Sequence, residues 1–335
     1  MYMKHLKTLL TLTTLLMLTL TARAAGQYDN PDTLFVARDG TGQFRTVGEA
    51  IEVCRAFMDY HKVIYVKNGT YKEKLILPSW LTNIEICGES PEKTIITYDD
   101  HANIMEDISP LTTHLSPQKI GTFRTFTLKI EGSSITLKNI TIENNSARLG
   151  QAVALHTEGD RITIVNCRLL GHQDTVYTGV AGTRLFFKDC YIEGTTDFIF
   201  GPSTAWFEGC TINSRANSYI TAASTPQNVP YGYVFNNCRL TADEGIDKVY
   251  LGRPWRDYGY TVFMNCELGR HIRPEGWHHW REEAKQTARY MEYNNHGEGA
   301  NTSARVAWSR QLTKKEASQI TPAAVFSISD EWTVR

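Results

Sequence analysis

Six segments of this chain share one pattern: Ile135-Thr-Leu-Lys-Asn-Ile140-Thr-Ile142, Ile162-Thr-Ile-Val-Asn-Cys167-Arg-Leu169, Leu185-Phe-Phe-Lys-Asp-Cys190-Tyr-Ile192, Ala205-Trp-Phe-Glu-Gly-Cys210-Thr-Ile212, Tyr233-Val-Phe-Asn-Asn-Cys238-Arg-Leu240 and Thr261-Val-Phe-Met-Asn-Cys266-Glu-Leu268. With Ile140 or the cysteine taken as position zero, apolar residues recur at −3 and +2, and usually at −5. The steps between zeros are 27, 23, 20, 28 and 28 residues. Periods of this length belong to solenoids, in which each unit buries its apolar face against the next.

The alternation changes parity inside each unit. Positions −5 and −3 must face the same way as 0 and +2, although an odd number separates −3 from 0. The chain must therefore turn between them. The residue at −1 is Asn139, Asn166, Asp189, Gly209, Asn237 or Asn265. These types tolerate a left-handed backbone at least cost. Each unit reads as a strand, a one-residue corner and a second strand. Further β-rich pieces follow at residues 175–178, 198–200 and 219–221. Three short strands per coil predict an all-β, right-handed, single-stranded parallel β-helix, the hand being that of parallel crossovers. A leucine-rich repeat is the competing solenoid and would make the chain a binding protein. It requires a helix or an upstream Leu-x-x-Leu in each unit. The intervals here are rich in Gly, Thr, Tyr and Phe, with no helical period.

Position zero points inward, so Cys167, Cys190, Cys210, Cys238 and Cys266 should form a column in the core, acting as small hydrophobes. Parallel side-chain vectors make poor bridges, and mostly reduced thiols are expected. Cys54 and Cys87 lie outside the column. Residues 46–60 have helical spacing (Val47, Ala50, Ile51, Cys54, Phe57) and predict a capping helix over the open end. Residues 63–66, 75–77 and 84–86 predict strands of the first turns. From His278 onward the repeat is lost, and residues 281–293 are expected to be helical and to pack along the side.

Residues 1–24 read as a secretory signal peptide. Lys4 and Lys7 open it, a Leu/Thr run spans Leu9 to Leu20, and Ala22-Arg23-Ala24 is a small-x-small cleavage site. Residues 25–335 are expected to form one domain, exported to the periplasm or the cell exterior and free of the membrane. Cleavage removes three cations and no acid, taking the net charge from −1 to −4. That balance argues against a nucleic-acid partner. Nothing points to oligomerisation, and a monomer is expected.

The repeat also aligns two carboxylates. Cys167 to Asp174 is seven residues, and so is Cys190 to Asp197. Gly171 then aligns with Gly194, Val176 with Ile199 and Tyr177 with Phe200, without a gap. Coils of a β-helix stack at roughly 4.8 Å, so the two aspartates should be vertical neighbours. Two carboxylates that close do not both ionise easily: one becomes an acid and the other stays an anion. An exposed Asp ladder and a calcium-binding pair are the bland alternatives. Like charges in register destabilise strands, and calcium wants more oxygen ligands than are found nearby. Arg253, in Leu251-Gly-Arg-Pro-Trp255, is a candidate partner for one Asp, and Trp255 a candidate sugar platform. Gln151 and Gln173 could stabilise an oxyanion without disturbing the acids. There is no Gly-x-Ser-x-Gly elbow, phosphate loop or dinucleotide fingerprint. His278-His279 lacks a third ligand at metal spacing.

These residues resemble those of the pectin methylesterases, carbohydrate esterases that remove methyl groups from polygalacturonate. The likeness runs from about Leu34 to Trp308. It is carried by Val36-Ala-Arg-Asp-Gly-Thr-Gly42, Asn68-Gly-Thr-Tyr71, Gly150-Gln-Ala-Val-Ala-Leu155, Gly171-His-Gln-Asp-Thr-Val-Tyr177, Asp197-Phe-Ile-Phe-Gly201, Leu251-Gly-Arg-Pro-Trp255 and Gly299-Ala-Asn-Thr-Ser303. The resemblance implies a right-handed parallel β-helix acting on methyl-esterified homogalacturonan without metal or cofactor. It implies Asp197 as nucleophile, Asp174 as general acid and then base, Gln151 and Gln173 as the oxyanion hole, and Arg253 as the group orienting the nucleophile. Trp255 becomes a substrate contact. Tyr177, Phe198, Phe200, Thr122 and Trp277 become expected cleft residues. His172 stands where an aromatic is common in the family, and Val176 where Leu is. A glycosidase or lyase on the same fold, and a carbohydrate-binding solenoid, are the other classes open at this point.

Overall fold

The structure is a computed structural model and describes residues 33–58, 60–106, 117–326 and 332. The expected signal peptide lies outside the described residues. Three parallel sheets of eleven, eight and seven strands run the length of the molecule. Each full coil gives one strand to each sheet. Arg184–Lys188 lies in the first, Tyr191–Gly194 in the second and Ile199–Gly201 in the third, and Thr204–Glu208 opens the next coil in the first sheet again. This is a single-stranded parallel β-helix.

The corners sit where the parity break requires them. Asn139, Asn166, Asp189, Gly209, Asn237 and Asn265 have φ between 50° and 62°. Each turns the chain from the first sheet to the second in one residue. The side chains also stack: Asn166 Nδ2 donates to Asn139 Oδ1 at 2.9 Å.

Inward positions fill the interior in layers. Leu185, Phe187, Cys190 and Ile192 are all buried in one coil. Position −3 holds Phe187, Phe207, Phe235 and Phe263, whose rings stack with centroids 4.5, 4.3 and 4.3 Å apart. Each such buried ring contributes roughly 1.5–3 kcal/mol by removal of apolar surface from water. The cysteines of position zero are buried beside them, and all seven cysteines are free. Cys190, Cys238 and Cys266 donate to the carbonyls of Ile164, Phe207 and Phe235 at 3.4, 3.4 and 3.6 Å. Burial pushes the Cys167, Cys190, Cys210 and Cys238 thiols well above their ordinary range, so these sulfurs are packing atoms.

The outer face of the first sheet is apolar too. Phe186, Trp206, Val234, Val262 and Met264 form a second cluster, covered by Leu312, Ala317, Val325 and Phe326 from the C-terminal segment.

The two ends depart from the sequence reading. The N-terminal helix covers only Val47–Glu52, opened by a Thr46–Glu49 capping box, and buries Val47, Ala50 and Ile51. Phe57, expected on its buried face, is 81% exposed, because the helix has already ended and Phe57 itself has φ 55°. Nor are residues 281–293 one helix. Glu282–Gln286 is a short 3-10 turn, and Arg289–Tyr293 is a strand paired with Tyr260–Met264. The repeat thus continues for one more coil, with its own left-handed corner at Asn294 (φ 51°). It is hard to see in sequence because the inward positions there carry Glu292 and Asn295 in place of an apolar residue and a cysteine. Glu292 is buried and bonded by Arg305 at 2.8 Å and by Trp277 Nε1 at 3.3 Å.

Candidate active site

The turns that lead from the second sheet to the third carry the site. In two successive coils they begin with Gly171 and Gly194 and run to Val176–Thr178 and Ile199–Gly201. A side chain at either glycine would collide: a Cβ at Gly171 would lie 2.8 Å from Thr175 Oγ1, and one at Gly194 would lie 2.2 Å from Phe198 Cβ. The turns are this tight because Asp174 and Asp197 both adopt left-handed backbone, with φ 68° and 49°. Aspartate accepts that conformation more readily than most residues.

Val176 pairs with Ile199 and Tyr177 with Phe200. Asp174 and Asp197 each precede these pairs by two residues, so they occupy one lateral position on adjacent coils. The amide of Asp174 donates to Thr196 O at 3.1 Å, and that of Asp197 to Tyr219 O at 2.8 Å. Both side chains line one cleft of about 380 Å³ together with Thr122, Gln151, Gln173, Phe200, Arg253 and Trp255.

The two acids have different surroundings. Arg253 grips Asp197 with both ends of its fork, Nε to Oδ1 at 3.0 Å and Nη2 to Oδ2 at 2.7 Å. Burial raises the Asp197 proton affinity, and the Arg253 hydrogen bonds and charge pull it back, leaving it above the ordinary carboxyl range. Among the described residues, no cation clamps the Asp174 carboxyl in this way. Burial, and then the Asp197 charge, push it well above that range, with only a lesser pull from Arg253. The first proton taken up by the pair therefore settles on Asp174, and Asp197 is the better anion.

Gln151 and Gln173 sit on the cleft wall, and the backbone amide of Ala152 donates to Gln173 O at 3.0 Å, fixing their two coils in register. Their side-chain amides make no hydrogen bond to other described residues, so their N–H groups are available to a ligand. The aromatic wall beside them runs from Phe123 through Tyr177 to Phe200, with ring centroids 4.8 and 4.7 Å apart, and Trp255 meets Phe200 edge-on at 5.9 Å. No group of three or more His, Cys, Asp or Glu with metal-binding geometry exists among the described residues.

Three expected cleft residues do not line the cleft. Phe198 is fully buried in the interior beside Ile199, because it follows the left-handed turn at Asp197 directly and enters the coil. Trp277 is 1% exposed. It bridges to Gly252 as an extension of the third sheet, which sends its ring inward onto Tyr290 and Phe263. Tyr177 does not line the cleft either; its ring lies between those of Phe123 and Phe200, which do. The sequence reading missed Phe123, Ala222 and Trp280, which line the cleft. Trp280 had a signal, being the second tryptophan of Gly276-Trp-His-His-Trp280, but nothing in the pattern said which of the two faces out.

Fold and site together define a parallel β-helix whose cleft holds two stacked aspartates, one clamped by an arginine and the other raised further in proton affinity. The family model for pectinesterases matches residues 33–329. A probable pectinesterase/pectinesterase inhibitor of Brassica napus is 37% identical over 300 residues, covering 85% of this chain and 49% of its own length. The chain thus spans about half the length of this and several other curated relatives that it matches. The solved pectin methylesterase from carrot superposes with a TM-score of 0.79 at 32% identity, covering 88% of this chain and 92% of that one. A pectin methylesterase solved in complex with a hexasaccharide gives 0.75 at 28% identity, covering 90% and 98%. The chain belongs to the pectinesterase family.

Proposed function

We propose that this protein is a pectin methylesterase, hydrolysing the C6 methyl esters of homogalacturonan through an aspartyl acyl-enzyme. The observation that carries this reading is the asymmetry of the stacked pair: Asp197 clamped by Arg253, Asp174 unclamped and pushed towards its protonated form. The hexasaccharide complex of a similar protein supports an extended sugar ligand in the cleft.

Ionised Asp197 attacks the ester carbonyl carbon. Gln151 and Gln173 donate to the oxyanion, each such donor contributing roughly 10²–10³ in rate. Collapse breaks the bond to the methoxy oxygen, which takes the Asp174 proton and leaves as methanol. Asp197 is then an anhydride with the sugar carboxyl. Asp174, now an anion, takes one proton from a water that attacks the sugar carbonyl carbon; the anhydride bond breaks, freeing the Asp197 carboxylate and the sugar carboxylic acid, whose proton passes to solvent. Arg253 keeps the nucleophile ionised and aimed, and Trp255 and Phe200 hold the polymer. No metal or cofactor enters the scheme. Export behind a leader at residues 1–24, a single domain and a monomeric state complete the proposal.

The test is methanol release from highly methylated pectin by the wild type and by Asp197→Ala, with melting temperature as the folding control. The proposal expects release by the wild type, unaffected by EDTA, and none by the variant. Polymer shortening without methanol would support a glycosidase or lyase instead.

A further inference from the structure

Arg253 is held on more than its carboxylate side. Its guanidinium lies 3.9 Å from the Tyr219 ring centroid and 3.8 Å from that of Trp280. The two rings come from different parts of the fold. Tyr219 opens the strand Tyr219–Ala223 of the third sheet and stacks on Tyr250 of the next coil at 5.3 Å, so it is part of the rigid scaffold. Trp280 stands outside the repeat, in the segment between the bridge at Trp277 and the 3-10 turn Glu282–Gln286. That segment is tied down nearby, with His278 N donating to Gly252 O at 3.0 Å and Arg281 pairing with Asp257 at 2.7 Å. Trp280 itself is 38% exposed and has φ 45°, a conformation that costs a bulky residue on the order of 1–3 kcal/mol. Such strain persists only where the surroundings enforce it.

Resting on the esterase reading above, we propose that Trp280 is a positioning residue for the reaction. It closes the open face of Arg253 against Tyr219 and so holds the guanidinium fork in the plane that grips Asp197. A guanidinium between two rings loses its freedom to swing and its competing water, and cation–π attraction grows as water is excluded. The charged and titratable groups around Asp197 are Arg253 in the same clamp, Asp174 on the preceding coil, and Tyr290 beneath, whose proton affinity responds to Asp197 and Arg253. Of these, only Arg253 is in contact with Trp280. His278, which accepts from Trp280 N at 3.2 Å and lies against the Tyr219 ring, is the other titratable group that a change at Trp280 reaches, and burial and the neighbouring cations hold it below the ordinary imidazole range. The bland alternative is that Trp280 serves only as a sugar platform at the cleft rim, which its exposure allows.

The two roles separate in kinetics. Trp280→Ala and Trp280→Phe are compared with wild type for kcat, KM and the pH profile of kcat/KM, using methanol release. A positioning role predicts that Trp280→Ala lowers kcat by about 10²-fold, the usual cost of a misplaced catalytic group, with KM nearly unchanged. It also predicts that the acid limb moves to higher pH, because a loosened Arg253 stabilises the Asp197 anion less. Trp280→Phe restores most of the rate and the limb. A rise in KM with kcat and the acid limb unchanged overturns the proposal in favour of a platform. Unchanged kinetics throughout also overturns it. If Trp280→Ala melts early, the Phe variant and Tyr219→Leu, which opens the opposite face, carry the same test. If Asp197→Ala retains activity, the esterase mechanism has failed instead, whatever Trp280 does.

Discussion

Two buried acid sites in this molecule make a useful contrast. At the C-terminal end, Glu292 lies inside the last coil with Arg305, Trp277 and Asn295 all bonded to its carboxylate. In the cleft, Asp197 has one arginine, and Asp174 has no ion-pair partner among the described residues. Both sites take charge out of water, which is costly unless it is compensated. Glu292 is compensated fully and has nothing left to offer a ligand. The aspartates are compensated by half, and the unmet half is reactivity. Complete pairing marks a structural plug, and incomplete pairing in an open cleft marks chemistry.

That contrast can be broken by mutation. The largest effect is expected at the nucleophile: Asp197→Asn should lower methanol release by roughly 10⁴-fold or more, while its urea midpoint stays at or above the wild-type value. A large loss of stability would place Asp197 in the same category as Glu292. The reverse is expected at the plug. Glu292→Gln leaves Arg305 buried with its charge uncompensated and should cost roughly 3–5 kcal/mol in urea unfolding. Activity per folded molecule should hardly change. The double change Glu292→Leu with Arg305→Met should recover much of that loss, since it removes both charges together. Next, Gln173→Leu should reduce kcat by roughly 10²–10³ with little effect on folding.

A smaller effect concerns pH. Asp174 binds its proton more tightly folded than unfolded, since burial and the Asp197 charge raise it well above the ordinary value. The folded state is therefore favoured most below the ordinary carboxyl range, and that contribution is lost as pH rises towards the folded value. Asp174→Asn removes the loss. Its urea midpoint should exceed that of wild type at neutral pH and meet it in acid. A variant less stable than wild type at neutral pH would mean that ionised Asp174 is paired after all, like Glu292. The smallest effect is a null one: a reducing agent should leave the melting temperature unchanged, because the thiol column holds no bridge.

The repeat was legible because packing in a solenoid is periodic in sequence. Inward residues such as Leu185, Phe187, Cys190 and Ile192 recur in each coil, and the left-handed corner between them admits few residue types. The acid pair was legible for the same reason, as an equal offset from two equivalent cysteines. The last coil was not, because Glu292 and Asn295 break the apolar pattern while keeping its geometry.

Side-chain direction at the turns is where reading by pattern stopped. Phe198 and Phe200 belong to one short motif, as do Trp277 and Trp280. In each pair one ring goes into the core and the other borders the cleft. Alternation along a strand has period two and would put Phe198 and Phe200 on one face, but Phe198 lies in the turn before the strand Ile199–Gly201 and enters the core together with Ile199, so the phase breaks between them. The sequence by itself determined the coil, its corners and the register of the two aspartates, because those follow from local backbone preference and repeated burial. Only the tertiary structure decided which aromatics face a ligand and what clamps Arg253. Those depend on contacts between residues far apart in the chain, such as Trp280 folding back over Arg253, and no local pattern encodes them.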